Sequence, residues 1–146
     1  MTDTTTWSAP AARVELELLE RLPDDSPTPG DVRLRVALRP EGAPAVDYDE
    51  VWLERPELEA FVVELEEWLS IAEGSPRIEA MSPDELEVEV TTGQGGDAAE
   101  LRVRLGRAGV SGVRTEEVDV EVRTALSGVE VAGLHAFFTR LLGRPA

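Results

Sequence analysis

One histidine, His135, is the only imidazole in a chain of 146 residues that contains no cysteine. Those two counts bound the side-chain chemistry. Without cysteine there is no thiolate nucleophile, no disulfide and no Cys-ligated zinc. A lone histidine cannot build a histidine metal site, and no H-x-x-x-H or carboxylate–histidine spacing surrounds it. It follows Leu134 in a helical pattern, near the edge of an apolar stripe, and reads as a partly exposed surface residue. The serines lie in turn and cap contexts, with no G-x-S-x-G elbow. Gly93-Gln94-Gly95-Gly96 lacks both the Lys-Ser/Thr pair and the following helix that a phosphate loop needs, so it reads as a hairpin connection.

Carboxylates are the abundant reactive groups, with 30 Asp and Glu against 14 basic residues and a formal charge of −16. A glycosidase sets two of them across a cleft, usually beside aromatic platforms. Here Phe, Tyr and Trp make up only 5% of the chain, mostly at core-like positions. Asp47-Tyr48-Asp49-Glu50 lacks the twelve-residue loop and central glycine of an EF-hand, and Asp24-Asp25-Ser26 reads as a turn. The expectation is a protein without catalytic residues, metal or cofactor. The acidic balance also argues against nucleic acid and anionic membranes, both of which demand a basic footprint. No apolar run approaches the ~18 residues of a membrane span, and the N-terminus lacks the basic and apolar regions of a secretory signal. A 42% hydrophobic content argues against disorder. Apart from His135, every basic residue is arginine, and lysine and asparagine are absent. A GC-rich genome explains that, and the expected setting is a bacterial cytoplasm.

The elements that must position these charges are legible from periodicity. Residues 1–12 are small, polar and threonine-rich and read as a flexible tail in which Trp7 alone has packing potential; residues 13–146 read as a single α+β domain. Val14, Leu16 and Leu18 alternate with Glu15 and Glu17, as in a strand with one wet face. A proline-dense loop at 23–30 follows. Val32, Leu34, Val36 and Leu38 alternate with Arg33, Arg35 and Ala37, and a third strand is expected over 45–54 with Tyr48 and Trp52 on one side. A helix over 56–73 has Pro56 at its first position and a stripe of Leu58, Phe61, Val62, Leu65, Leu69 and Ala72, ended by Gly74. A short extended piece at 77–81 leads to strands at 85–92 and 99–105. A Gly-rich loop at 106–112 comes before a strand bearing Val118, Val120 and Val122. The last helix opens at Ser127 with Glu130 as a capping box, and Val131, Leu134, Phe138 and Leu141 form its stripe. The order βββα(β)βββα predicts a curved antiparallel sheet of about six or seven strands with two helices on one face. Whether the halves arose by duplication stays open.

Charge patterning separates two kinds of acid. Acidic outward positions on one strand face basic ones on the next, Glu15 and Glu17 with Arg33 and Arg35, then Glu87 and Glu89 with Arg102 and Arg104. That predicts pairing of 13–19 with 31–38 and of 85–92 with 99–105, at ~0.2–1 kcal/mol per opposed pair. The helix at 56–73 has no base at all. Its Glu57, Glu64 and Glu67 lie away from the apolar stripe, either as a solvated face or as a binding surface for a basic protein partner.

The string Ile78-Glu79-Ala80-Met81-Ser82-Pro83-Asp84-Glu85-Leu86-Glu87-Val88-Glu89-Val90 is an acidic-proline turn entering a strand. It follows Glu57-Leu58-Glu59-Ala60-Phe61 and Trp68-Leu69. This combination resembles the WapI-type immunity proteins of bacterial polymorphic-toxin systems and related uncharacterised actinobacterial families, over most of residues 13–142 in element order. The resemblance implies a non-catalytic antidote that occupies a toxin domain, and it carries over no catalytic residue. The alternative is a structural or regulatory interaction module with another protein partner.

Overall fold

Alternating apolar and charged residues make strands because successive side chains leave a strand on opposite faces. In the computed structural model, which describes residues 5–9, 13–81, 85–93, 99–111 and 114–144, this alternation yields eight strands. β1 (Thr6–Ser8), β2 (Val14–Arg21), β3 (Val32–Leu38) and β4 (Val46–Leu53) form one antiparallel meander, followed by α1 (Arg55–Ile71). β5 (Arg77–Glu79), β6 (Leu86–Thr92), β7 (Ala99–Ser111) and β8 (Arg114–Leu126) form a second, followed by α2 (Gly128–Leu141). The class is α+β with two helices. The sheet is not single, however: there are two four-stranded sheets in place of one of six or seven strands. Two of the eight strands have only three residues, too few to display a period. One of them, β1, lies in the segment expected to be a tail; Trp7 opposes Leu16 and packs against the core.

The inward residues of both sheets and the stripes of both helices join one apolar core. Phe61 of α1 meets Phe138 of α2 edge to face, with centroids 4.7 Å apart, and Phe137 stands edge-on to Phe138 at 5.3 Å. α2 buries Val131, Leu134, Phe138 and Leu141, the expected stripe, and Phe137 beside it. α1 differs. It starts at Arg55, one residue before Pro56, and buries Leu58, Phe61, Val62, Leu65 and Trp68. Leu69 is 37% exposed, and Ala72 has left the helix in the left-handed region (φ 53°), its N–H bonded to the Trp68 carbonyl. The early stop rotates the last buried contact back to Trp68.

Two bulges reset the alternation. Leu19 is the extra residue where pairing passes from Leu18↔Leu34 to Glu20↔Arg33. In β4 the register shifts between Val36↔Tyr48 and Leu34↔Val51, so Tyr48 and Val51 face inward. Trp52 then sits on the opposite side to Tyr48, contrary to their shared parity in the sequence. A bulge adds one unpaired residue and flips all that follow. The Gly-rich stretch expected as a loop is strand: β7 continues through Ser111, and its ladder with β8 runs to Ser111↔Arg114. Glycine erases the side-chain pattern but still offers its N–H and C=O to the ladder. The turn at 82–84 and the connection at 94–98 lie outside the described residues.

The helix ends are fixed in different ways. Ser127 and Glu130 form the expected capping box: the Ser127 hydroxyl accepts from Glu130 N–H at 3.2 Å, and Glu130 Oε1 accepts from Ser127 N–H at 2.8 Å. At the other end of α2, Arg21 donates from Nε to Leu141 O (3.0 Å) and from Nη2 to Arg140 O (2.7 Å). α1 has no cap from its own N-cap residue, Glu54. Asp31, 4% exposed, supplies one, its Oδ1 accepting from Arg55 N–H at 2.9 Å. Arg21 and Asp31 flank the β2–β3 loop, which is closed by Leu22 N–H to Asp31 O. One loop base therefore holds the positive end of α1 with an anion and the negative end of α2 with a cation, the favourable sense for both helix dipoles. Gly30 suits this base because its φ of 84° is one that other residues rarely adopt, and a Cβ there would also displace the Arg55 side chain, whose Cδ lies 2.7 Å away.

Candidate functional site

The outward strand positions carry the charges, and both predicted pairings are present. Glu17 opposes Arg35 and Glu20 opposes Arg33; Glu87 opposes Arg104 and Glu89 opposes Arg102. The two sheets build the same device. Arg35 donates from Nε to Glu17 (3.0 Å), from Nη1 to Asp47 (2.8 Å) and from Nη2 to Glu15. Arg102 donates from Nε to Glu89 (3.4 Å), from Nη1 to Glu121 (3.1 Å) and from Nη2 to Glu87. In each case one guanidinium engages three carboxylates from the two flanking strands, with each nitrogen serving the corresponding partner. Pairing from the sequence found two members of each cage. The third, Asp47 or Glu121, stands on the next strand at an outward position, the one signal that marked it.

The cages shift protonation as charge-assisted bonds should. The Glu17 hydrogen bond, opposed by burial, raises the Arg35 pKa. The Glu121 hydrogen bond does the same for Arg102, and Glu121 is in turn lowered chiefly by Arg102. Burial pushes Glu87 up, but the Arg77 hydrogen bond and the charges of Arg102 and Arg77 outweigh it and lower its pKa. Arg77 reaches Glu87 at 2.8 Å and also bonds Glu79.

α1 behaves otherwise. Glu59 lies 3.5 Å from both Arg55 and Arg144, and Glu66 Oε1 lies 3.1 Å from His135 Nε2. Glu57, Glu64 and Glu67 have no ion pair among the described residues. They fall within an arc of about 80° at 100° per residue, Glu57 and Glu67 exposed and Glu64 half-buried. Val63 (51% exposed) and Ile71 (62% exposed) stand one turn before and after Glu67 on this side. His135, expected at the stripe edge without a partner, is half-buried between the helices and does have one in Glu66. That contact joins residues 69 apart, beyond any local spacing.

No family model, curated protein or solved structure matches the chain. The chemistry must therefore come from its own residues. Among the described residues no group of three or more His, Asp or Glu is placed to hold a metal ion, and no helix is long and apolar enough to cross a membrane. Asp47 belongs to the Arg35 cage, Glu50 lies 3.8 Å from Arg33, and the Asp49 carbonyl accepts from Arg33 at 3.0 Å. Asp47 and Glu50 of the Asp-Tyr-Asp-Glu run thus engage arginines of β3. A concavity of about 280 Å3 opens on the charged face of the first sheet, around Ser8, Glu15, Arg35, Ala37, Arg39 and Asp47.

Proposed function

We propose that the protein is a non-catalytic, cytoplasmic binding protein that engages a basic protein partner through the Glu57–Glu64–Glu67 side of α1. One observation carries this reading. The sheet carboxylates described above are held by arginines and two α1 glutamates by Arg55, Arg144 and His135, whereas these three have no counter-charge among the described residues. An unneutralised row raises the local concentration of a cationic partner and its association rate. Val63 and Ile71 add apolar contact beside the acids, the mixture that protein interfaces use. The resemblance to immunity proteins of toxin systems implies a toxin domain as that partner, and a nuclease with a basic phosphate-binding cleft would suit it.

The test is the association rate with a toxin domain encoded beside this chain, followed against ionic strength. Glu64→Arg with Glu67→Arg is expected to slow association and flatten its salt dependence while the thermal midpoint hardly moves, since rim charges act mainly on encounter. Equal rates for the variant and the wild type would remove α1 from the interface.

A further inference from the structure

The two sheets have four outer strands, β1, β4, β5 and β8. An outer strand presents unpaired N–H and C=O groups, and proteins blunt it by shortness, bulges or a cover. Three of the four are managed in these ways. β1 and β5 have three residues each. β4 is bulged, and its Trp52 carbonyl accepts from Met81 N–H at 2.9 Å. β8 has none of these devices. It runs for 13 residues without proline, glycine or lysine, and its register with β7 is unbroken from Ala99↔Leu126 to Ser111↔Arg114. Among the described residues no main-chain hydrogen bond joins it to any element but β7. Its charges point to what completes it. Arg123 stands directly opposite Arg102 on β7, a like-charge pair that disfavours the ladder. Arg102 holds Glu87, Glu89 and Glu121, whereas Arg123 shares Glu121 at 3.2 Å and reaches Glu100 at 3.5 Å. The Arg123 side chain is 59% exposed, and a carboxylate on its open side is what the row lacks.

We infer that the free edge of β8 is the contact between two copies of the chain, paired antiparallel about a two-fold axis at Val122. Strand alternation lets only residues of like parity oppose one another if the apolar faces are to stay on one side. Buried Val122 then meets Val122, and exposed Glu121 meets exposed Arg123 twice, once from each copy. The ladder runs from Val118 opposite Leu126 to the mirror of that pair. Sliding it one step either way sets Glu121 or Arg123 against its own copy. Further steps toward Arg114 set Glu121 against Asp119 and then against Glu117. The centred register alone keeps both Glu121 and Arg123 in the ladder without a like pair. A strand paired with itself makes a closed two-fold contact, so the assembly stops at two copies. This contact lies on the sheet edge and does not depend on α1 taking part in binding.

Sedimentation velocity of the full chain tests it, at about 0.15 M salt so that repulsion between the two net charges is screened beyond ~8 Å. A monomer–dimer equilibrium is expected between micromolar and millimolar protein. Arg123→Glu is expected to abolish the dimer while keeping the melting midpoint of the dilute wild type, because the new carboxylate faces Arg102 in its own sheet and Glu121 of the second copy across the contact. Glu121→Arg should be monomeric alone, and mixing it with Arg123→Glu should restore a dimer, since each opposed pair then joins a glutamate to an arginine. Nitroxide labels on Ala125→Cys, in a chain with no other thiol, should show backbones about 20 Å apart in the dimer. This label distance decides the matter even where Glu121→Arg fails to fold. The inference falls if the wild type stays monomeric at millimolar protein, if it grows past two copies, if Arg123→Glu dimerises as the wild type does, or if the labels show no such distance. None of these outcomes bears on the α1 reading, whose test is an association rate.

Discussion

α2 completes itself; α1 does not. The C-terminal helix closes its first turn with its own Ser127 and Glu130 and ends with Arg140 in its last turn. The other helix has no local side-chain cap and no base in its last turn, and depends on Asp31, 24 residues earlier, for its first N–H partner. The same contrast holds on the surface, where α1 carries three glutamates without a counter-charge among the described residues. One helix is matched in charge at both ends, while the other presents its acids to solvent.

The largest effect expected is at the long-range cap. Asp31→Ala leaves the Arg55 N–H without its buried acceptor and should lower unfolding free energy by about 2 kcal/mol, with Asp31→Asn retaining part of it. Ser127→Ala should cost about 1 kcal/mol, because its site is exposed and water can substitute. Equal losses in urea melts would break the distinction between the two helix starts.

Arg102→Glu turns the acids of the second sheet into the unneutralised kind that α1 carries. A loss of about 1–2 kcal/mol is expected, shrinking in high salt because cross-strand repulsion is screened. A loss that ignores salt would mean that packing, not charge, holds that row.

Acid titration sharpens the same point. Glu87 and Glu121 hold protons less readily in the folded chain than at their ordinary value of 4.5. The unfolded chain therefore takes up protons first as pH falls. The stability these two groups contribute is fully present above about pH 4.5 and is lost as pH drops through their lowered folded values. Glu87→Gln should flatten the fall of stability with pH in this window, measured by urea melts at successive pH values. An unchanged slope would rule out Glu87 as a contributor.

The smallest effect on stability belongs to α1 itself. Reversing Glu64 and Glu67 should change the melting free energy by no more than about 0.5 kcal/mol, as at most surface sites. A larger loss would show that these acids support the fold and are not reserved for a partner.

What the sequence revealed follows from the range of each interaction. Acid–base matching identified the β2–β3 and β6–β7 pairs, since Glu17–Arg35 and Glu89–Arg102 are patterned within each strand. The capping box was equally plain because its members are three residues apart. Asp31, between the loop at 23–30 and the strand from Val32, carries no signal until the fold brings Arg55 against it. β1 is too short to show alternation, and the bulges at Leu19 and in β4 have no marker among their neighbouring residues. Of the candidate site, the three α1 glutamates were visible as acids off the apolar stripe. The concavity over Ala37 was not, because it exists only once residues of several strands stand side by side.

Arg21 donates to the end of a helix 120 residues further along the chain. Closing so long a loop carries a high entropic cost, so this contact is expected to form late in folding. Native contacts that form after the folding barrier leave the folding rate alone and act on the rate of opening. Arg21→Met should therefore speed unfolding in stopped-flow mixing while refolding stays nearly constant, which would make this one guanidinium a latch on the lifetime of the finished protein.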